Sequence, residues 1–478
     1  MIISTGKVFA TIIEATDKER SLLTVMLTSD EGECFVKDDK FYTGFIFYLK
    51  TRLDITDTDE LPYPVVELES YDERLRDYQQ IAVKKALFFS RGILQVGTGG
   101  GKTFIAASII NELLLLGFDK CIYIVPTGYL MQQVVDDLSE FGVKSRGVGY
   151  KSKFKNGFSV YVFVAKSAAN AVINMDGAGK FIREAQVVIM DEVQHLASKT
   201  WVTFCENCTA PFRFGFTATA FEGTKSKRHP YTTRDLYLMG LTGNVILDIP
   251  SKYLRDRGFL AQPTIMMIAH PTKSIRFLWS PRVVYKTGIV KNKSRNEIAA
   301  HLSVRCMLSD YKVLTFVVQK DHAHSICTFV SKTFGKECIF VCGGGSVSTY
   351  KPSGKIDRRT MDLDTIKYYI ESGGGKIVVA TNVWDEGIDI KEVNVLIMAA
   401  SMKKHRRYIQ RAGRAMRPKL GNNQCFMFDF YDTNHNILES YSKSRMKTYQ
   451  GEGYTFADSI DSMEKSMGIK LSDILITD

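Results

Sequence analysis

Val96-Gly97-Thr98-Gly99-Gly100-Gly101-Lys102-Thr103 is the stretch on which the reading of the chain turns. Ahead of it, Gly92-Ile93-Leu94-Gln95 reads as a buried strand; behind it, Phe104 to Leu116 reads as a buried helix. Strand, glycine-rich turn and helix are together the setting a phosphate-binding loop requires. Glycines let successive N–H groups turn inward, and the helix N-terminus adds partial positive charge where phosphates would sit. In that setting Lys102 reaches the β- and γ-phosphates and the Thr103 hydroxyl ligates Mg²⁺. Val96 stands where the strict G-x-x-x-x-G-K-[ST] pattern has glycine, so the loop needs support from elsewhere in the chain.

That support lies downstream. Val187-Val188-Ile189-Met190 runs straight into Asp191-Glu192-Val193-Gln194-His195, which places paired carboxylates at the carboxyl end of a buried strand. Open α/β sheets bind their ligands at that edge. Asp191 is suited to hold the same Mg²⁺ as Thr103, and Glu192 to orient and deprotonate an attacking water. Phe214-Gly215-Phe216 leads to Thr217-Ala218-Thr219-Ala220, small hydroxyl residues fitted for close contact beside the site. Upstream, Arg76-Asp77-Tyr78-Gln79 opens a helix, and the Gln79 amide offers a donor and an acceptor to an adenine edge.

Other strands also end in polar clusters. Cys121 to Val125 delivers Pro126 and Thr127, and Val160 to Val164 delivers Lys166 and Ser167. Between Lys144 and Lys155 lie five basic residues (Lys144, Arg146, Lys151, Lys153, Lys155) and no acid, with Tyr150, Phe154 and Phe158 interleaved. The pattern suits a nucleic-acid contact as well as a solvated hairpin. Strands separated by helices predict a doubly wound domain over residues 71–255, with Gly258 to Pro263 as the crossing to a second.

The second half repeats the strand–helix rhythm without another phosphate loop. Lys312 to Val318, Lys376 to Ala380 and Val395 to Ala399 read as strands; Gly343-Gly344-Gly345 reads as a plain turn. Thr381 follows the second of these, ahead of Asp385-Glu386-Gly387-Ile388-Asp389. From Lys403 to Lys419 there are eight Lys or Arg and no acid, and Gln410 to Arg417 places Arg414 and Arg417 on one helical face. Guanidinium groups so placed would neutralise charge on a transferring γ-phosphate.

Residues 1–70 read as a small accessory domain. Lys7 to Ile13 and Ser21 to Leu27 are expected as strands joined by a polar turn over Glu14 to Arg20, with Phe41 to Leu53 more helical and its aromatics chiefly core. Residues 436–478 are expected to form a helical tail. The 478 residues have an ordinary globular composition, a net charge of +11 that favours a polyanionic partner, and no apolar run of membrane-spanning length. No secretory leader is visible at Met1 to Lys7, and the scattered cysteines fit reduced thiols better than zinc, so a cytoplasmic location is expected (the host's, if phage-encoded).

Arg76 to Gln79, Thr98 to Thr103, Pro126-Thr127, Asp191 to His195, Thr217 to Thr219, Thr381 to Asp389 and Gln410 to Arg417 resemble the ordered motif set of superfamily 2 helicases. That superfamily tolerates a non-glycine residue where Val96 stands. Within it the chain is most similar to phage branch-migrating DNA helicases of the UvsW kind, and more distantly to RecG-like translocases. The resemblance implies two tandem RecA-like α/β domains (71–255 and 256–435) closing on ATP and Mg²⁺. Arg76, Gln79, Thr98, Gly99, Gly100, Gly101, Gly387 and Asp389 would hold the nucleotide. Lys102, Asp191, Glu192, Gln410, Arg414 and Arg417 would turn it over. Pro126, Thr127, Ser167 and Thr381 would bind a nucleic-acid strand, and His195, Thr217 and Thr219 would couple the two sites. The expected activity is ATP-dependent remodelling of branched duplex DNA by a monomer, with recombination or single-strand-binding proteins as possible partners. An RNA-directed helicase and the motor subunit of a restriction or helicase–nuclease system are the alternatives.

Overall fold

The computed structural model describes all residues except 6–7, 58–71, 151, 225, 228, 271–272, 362–364, 367, 370–375, 382–392, 402–423 and 476–478. Two compact units divide the chain, Met1–Pro250 and Ser251–Asp478. The division falls a few residues ahead of the expected boundary, because helix Ser251–Asp256 is tied to the second unit. Arg255 in that helix lies 4.6 Å over the Tyr454 ring and donates to the Glu452 carbonyl.

The first unit opens with a four-stranded sheet of β1 (Ile2–Thr5), β2 (Phe9–Glu14), β3 (Lys40–Tyr42) and β4 (Thr56–Asp57), in the order β3-β2-β1-β4. Of residues 21–27, expected as a strand, 21–26 belong instead to helix Asp17–Met26 with Leu27 as its C-cap, and the expected turn over 14–20 contains its start. Thr16 and Glu19 form a reciprocal capping box there, which satisfies the first N–H groups and nucleates the helix. Phe41, Phe45 and Tyr48 are buried, as expected of core aromatics. The accessory sheet does not stand apart: Leu236 and Met239 of helix Thr233–Leu241 complete its core. Gly44 and Gly240 allow that contact, since a Cβ on Gly44 would meet the Gly240 and Met239 carbonyl oxygens at 2.3 Å.

The larger sheet of this unit holds β5 (Arg91–Val96), β6 (Cys121–Val125), β7 (Ser145–Val148), β8 (Val160–Val164), β9 (Val187–Asp191), β10 (Phe212–Thr217) and β11 (Val245–Ile249). Its order is β11-β5-β10-β9-β6-β8-β7, and every pairing is parallel. Both faces are covered, which is why the strands read as unbroken apolar runs. Along β6, Cys121, Tyr123 and Val125 pack into one core and Ile122 and Ile124 into the other. The Cys205–Cys208 pair caps a helix end, and its carbonyl oxygens accept from the buried Arg213 guanidinium.

The second unit is built on nine strands: β12 (Gln262–Ala269), β13 (Val313–Phe316), β14 (Cys338–Cys342), β15 (Ser346–Tyr350), β16 (Ile356–Thr360), β17 (Ile377–Ala380), β18 (Val395–Met398), β19 (Gln424–Tyr431) and β20 (Thr455–Phe456). The order is β16-β15-β14-β17-β13-β18-β19-β12-β20, parallel except for the hairpin ribbon β15–β16 on one edge. Two departures from expectation stand out. Residues 262–263, read as part of a crossing, begin β12, which pairs with β19 along its whole length. The expected helical tail supplies β20 as well as helices Asn436–Gly451 and Ile460–Met467, and Met463 and Met467 enter the main core.

Charge is buried at the carboxyl edge of this sheet. Arg445 donates from Nε to Asp429 Oδ2 (2.8 Å), from Nη1 to Ser401 Oγ (3.0 Å) and from Nη2 to the Phe430 carbonyl (2.7 Å). Arg295 donates to Asp432 and, at 2.8 Å, to the Ala399 carbonyl. Burial pushes Asp432 toward protonation, but Arg295, His270 and Arg445 outweigh it and hold the carboxyl below its ordinary range.

Candidate nucleotide and nucleic-acid site

Because the first sheet is parallel, each strand presents its carboxyl end on the same edge, and the strand order sorts what arrives there. β5, β10 and β9 are consecutive neighbours and deliver the glycine loop, Thr217 and Asp191. β6, β8 and β7 follow on one side and deliver Pro126-Thr127, Lys166-Ser167 and the basic loop ending at Lys155. With about 4.8 Å between strands, the edge separates the two sets by only about 10–20 Å.

Val96 is the last residue of β5, fully buried and paired with Ile249, so the departure from glycine lies in the strand rather than in the cradle. The turn begins at Gly97, whose N–H donates to the Ile249 carbonyl at 2.9 Å. Gly99 (φ +83°) and Gly101 (φ +76°) take left-handed conformations that side chains disfavour. Helix Lys102–Leu115 follows at once, so Lys102 and Thr103 lie in its first turn.

Gln79 is buried against this loop: its Nε2 donates to the Gly100 carbonyl at 3.3 Å, and its Oε1 accepts from Arg76 N at 2.9 Å. One N–H and one lone pair remain for a base edge. Tyr78 reinforces the contact, donating from its hydroxyl to the same Gly100 carbonyl at 2.9 Å. Arg76 itself is exposed at the helix start, and Thr98 is half-buried in the turn.

Asp191 ends β9 and is buried. Desolvation first, and then the neighbouring Glu192 charge, push its carboxyl up to about 6, against the opposing pull of Lys102. Its Oδ1 accepts from Glu192 N at 2.9 Å, and the Tyr123 hydroxyl lies 3.4 Å from Oδ2. Glu192 sits at φ +51°, a conformation rare outside glycine and held here by its surroundings. Gln194 Nε2 donates to the Glu192 carboxylate, and Thr217 Oγ1 lies 2.8 Å from Gln194 Oε1. Thr219 N donates back to Thr217 Oγ1 at 3.1 Å. Arg234 closes the network with bonds to the Gln194 carbonyl (3.2 Å) and the Ala220 carbonyl (2.9 Å).

The structure therefore brings Lys102, Asp191, Glu192, Thr217 and Thr219 together and runs the link through Gln194. His195 lies exposed one residue further on. Gln194, Tyr123 and Arg234 were not singled out in the sequence. A lone tyrosine hydroxyl inside an all-apolar strand, and a glutamine two residues after the catalytic glutamate candidate, were the available signals. Thr127 caps helix Gly128–Glu140, with its Oγ1 accepting from Leu130 N at 3.3 Å, and Ser167 lies half-buried in the first turn of helix Ala165–Asn174. Lys153 and Lys155 are exposed, whereas Phe154 packs on Tyr161 at 4.7 Å and is half-buried, which makes it a packing residue rather than a stacking platform. Thr381 directly follows β17 in the second unit, buried, with its N–H on the Val341 carbonyl at 3.2 Å. Lys151, Gly387, Asp389, Gln410, Arg414 and Arg417 lie outside the described residues.

Residues 72–222 match the family model described as type III restriction enzyme, res subunit, and residues 295–419 match that of the helicase conserved C-terminal domain. With two α/β units and this strand-edge constellation, the chain is an ATP-dependent helicase of superfamily 2. Among its relatives is the "ATP-dependent DNA helicase uvsW" of Enterobacteria phage T4, 23% identical over 449 residues that cover 90% of this chain and 82% of that protein. The "DNA 3'-5' translocase XPB2" of Sulfurisphaera tokodaii is 25% identical over 78% of this chain and 85% of its own. The fold is shared with S. cerevisiae Dbp5 bound to RNA and ADP BeF3 (TM-score 0.56, 17% identity, 84% of this chain and 93% of that one). Among the described residues no helix is long and apolar enough to cross a membrane.

Proposed function

We propose that the chain is a DNA translocase that remodels branched duplexes: junction migration, fork regression and release of invading strands. The observation that carries the reading is the adjacency along one sheet edge of a hydrolytic triplet (β5, β10, β9), in which Glu192, Gln194, Thr217 and Thr219 are hydrogen-bonded in a chain, and a strand-contacting triplet (β6, β8, β7). The DNA preference rests on the relatives whose names state it.

Backbone N–H groups from Thr98 to Gly101 cradle the phosphates, Lys102 neutralises them, and Arg76 and Gln79 hold the base. The site also fits Mg²⁺. Asp191 is a buried carboxylate pushed up to about 6 against the pull of Lys102, and an oxygen donor held above its ordinary range by burial suits a hard divalent cation. Thr103 and Asp191 would hold it, and it would supply charge neutralisation between the phosphates. Glu192, fixed by Gln194, orients water and takes its proton. Gln410, Arg414, Arg417, Gly387 and Asp389 are assigned to the nucleotide by the helicase resemblance alone, and Pro126, Thr127, Ser167, Lys151, Lys153, Lys155 and Thr381 are assigned to the strand. Thr217, Thr219 and His195 carry the nucleotide state to it.

The test is ATP turnover, with product gels, across single strands, blunt duplex, RNA duplex, a three-strand fork and a four-way junction. Forks and junctions should stimulate most and yield migrated products. Greater stimulation by RNA would move the protein to the RNA-directed class. The restriction name of the first family model keeps one other reading in view, a restriction motor; turnover driven equally by blunt duplex, with no junction product, would favour it.

A further inference from the structure

β12 ends at Ala269, paired with Tyr431, on the carboxyl edge of the nine-stranded sheet. From 273 to 292 the chain then carries Lys273, Arg276, Arg282, Lys286 and Lys291 and no carboxylate, and all five cations are exposed. Phe277 and Trp279 stand among them, 71% and 92% exposed. Their backbone is anchored: Ile275 N donates to the Asn434 carbonyl at 3.0 Å, and His435 Nε2 lies 3.1 Å from the Leu278 carbonyl. Ile275, Val284 and Ile289 are buried together with Leu438 of helix Asn436–Gly451. Ile275 and Leu278 thus turn inward, and Arg276, Phe277 and Trp279 turn outward.

Large aromatic surface left in water on an anchored backbone is surface that a partner covers. Resting on the strand-translocation reading above, we propose that this segment is a ledge for unpaired nucleic acid. Phe277 and Trp279 stack on successive bases, and Arg276, Arg282 and Lys286 take the phosphates. The alternation of flat aromatic faces with cations, free of carboxylates, matches what a single strand requires. Arg276 does feel Glu439, but that carboxylate is already paired with Lys443 at 2.7 Å. Thr381 follows β17 on the same edge, four strand positions from β12, so a strand touching both runs about 19 Å across the unit.

The experiment compares the full-length protein with Trp279→Ala and Phe277→Ala in binding a 15-residue thymidine strand, an abasic strand of equal length and a blunt duplex. Trp279→Ala should weaken binding of the thymidine strand about tenfold. It should leave the abasic strand, the duplex and the melting temperature unchanged. Arg282→Gln should lower the salt dependence of strand binding by about one ion. Unchanged affinity in both aromatic variants would overturn the proposal, as would equal losses on thymidine and abasic strands. A parent dimer made monomeric by Trp279→Ala, with strand affinity intact, would give the surface to a second copy of the chain. If the parent bound none of the three ligands, the translocase reading itself would fall.

Discussion

At the carboxyl edge of the first sheet, Asp191 is buried beside Glu192, and Lys102 is the cation that tempers it. At the corresponding edge of the second sheet, Asp429 and Asp432 are buried as deeply, yet Arg445 and Arg295 grip them. The outcomes for Asp191 and Asp432 are opposite: the Asp191 carboxyl is pushed up to about 6, and that of Asp432 is held low. Buried charge that is balanced by fixed partners builds scaffold. Buried charge left out of balance is held ready for something that arrives from solution, and it costs stability until that something binds.

The contrast can be broken in several places. Glu192→Gln should reduce ATP turnover about 10²- to 10⁴-fold while ATP binding persists, measured by nucleotide affinity alongside steady-state rate. Arg445→Met should remove about 3–5 kcal/mol from the second unit by leaving Asp429 buried without its guanidinium, seen as an earlier urea transition of the full chain. Asp191→Asn should have the opposite sign. The folded pKa of about 6 lies above the ordinary 3.8, so the stability this group supplies is present below pH 4 and lost as pH rises through 6. At pH 7 the asparagine variant should therefore be more stable than the parent by about 2–3 kcal/mol without nucleotide, with the difference vanishing near pH 4. In the parent, the Mg²⁺ concentration needed for half-maximal turnover should rise about tenfold between pH 7 and pH 5. The smallest effect is expected from Gln194→Ala, an about fivefold fall in the ratio of stimulated to unstimulated turnover with ATP affinity kept, about one hydrogen bond's worth.

Strand, loop and carboxylate pair were legible because each is local: a buried apolar run, glycines where φ turns positive, and charge where the run stops. Where the structure departs from expectation, the deciding contact is often remote. β12 is recognisable only by its partner β19, some 160 positions on, and β20 only by β12. Helix Asp17–Met26 is the exception, since Thr16 and Glu19 spell its capping box in the sequence; the β-rich look of Ser21 to Leu27 competed with that signal. Gln194 is not legible in the sequence because, besides its near neighbour Glu192, its role depends on Thr217, which the adjacent strand β10 brings to it from 23 positions away.

Helix Thr233–Leu241 joins more than it supports. At one end Arg234 holds the Gln194 and Ala220 carbonyl oxygens beside Glu192; near the other, Gly240 lies against Tyr42, Phe45 and Gly44 of the accessory sheet. Thr233 and Tyr237 add hydrogen bonds to Ser29 and Glu33 at 3.0 Å each. The accessory domain is therefore bolted to the chassis rather than towed behind it. The spacing between the accessory sheet and the edge that carries Asp191 and Glu192 is therefore fixed by this helix, like a ruler. A single methyl at Gly44 or Gly240 would be enough to bend it.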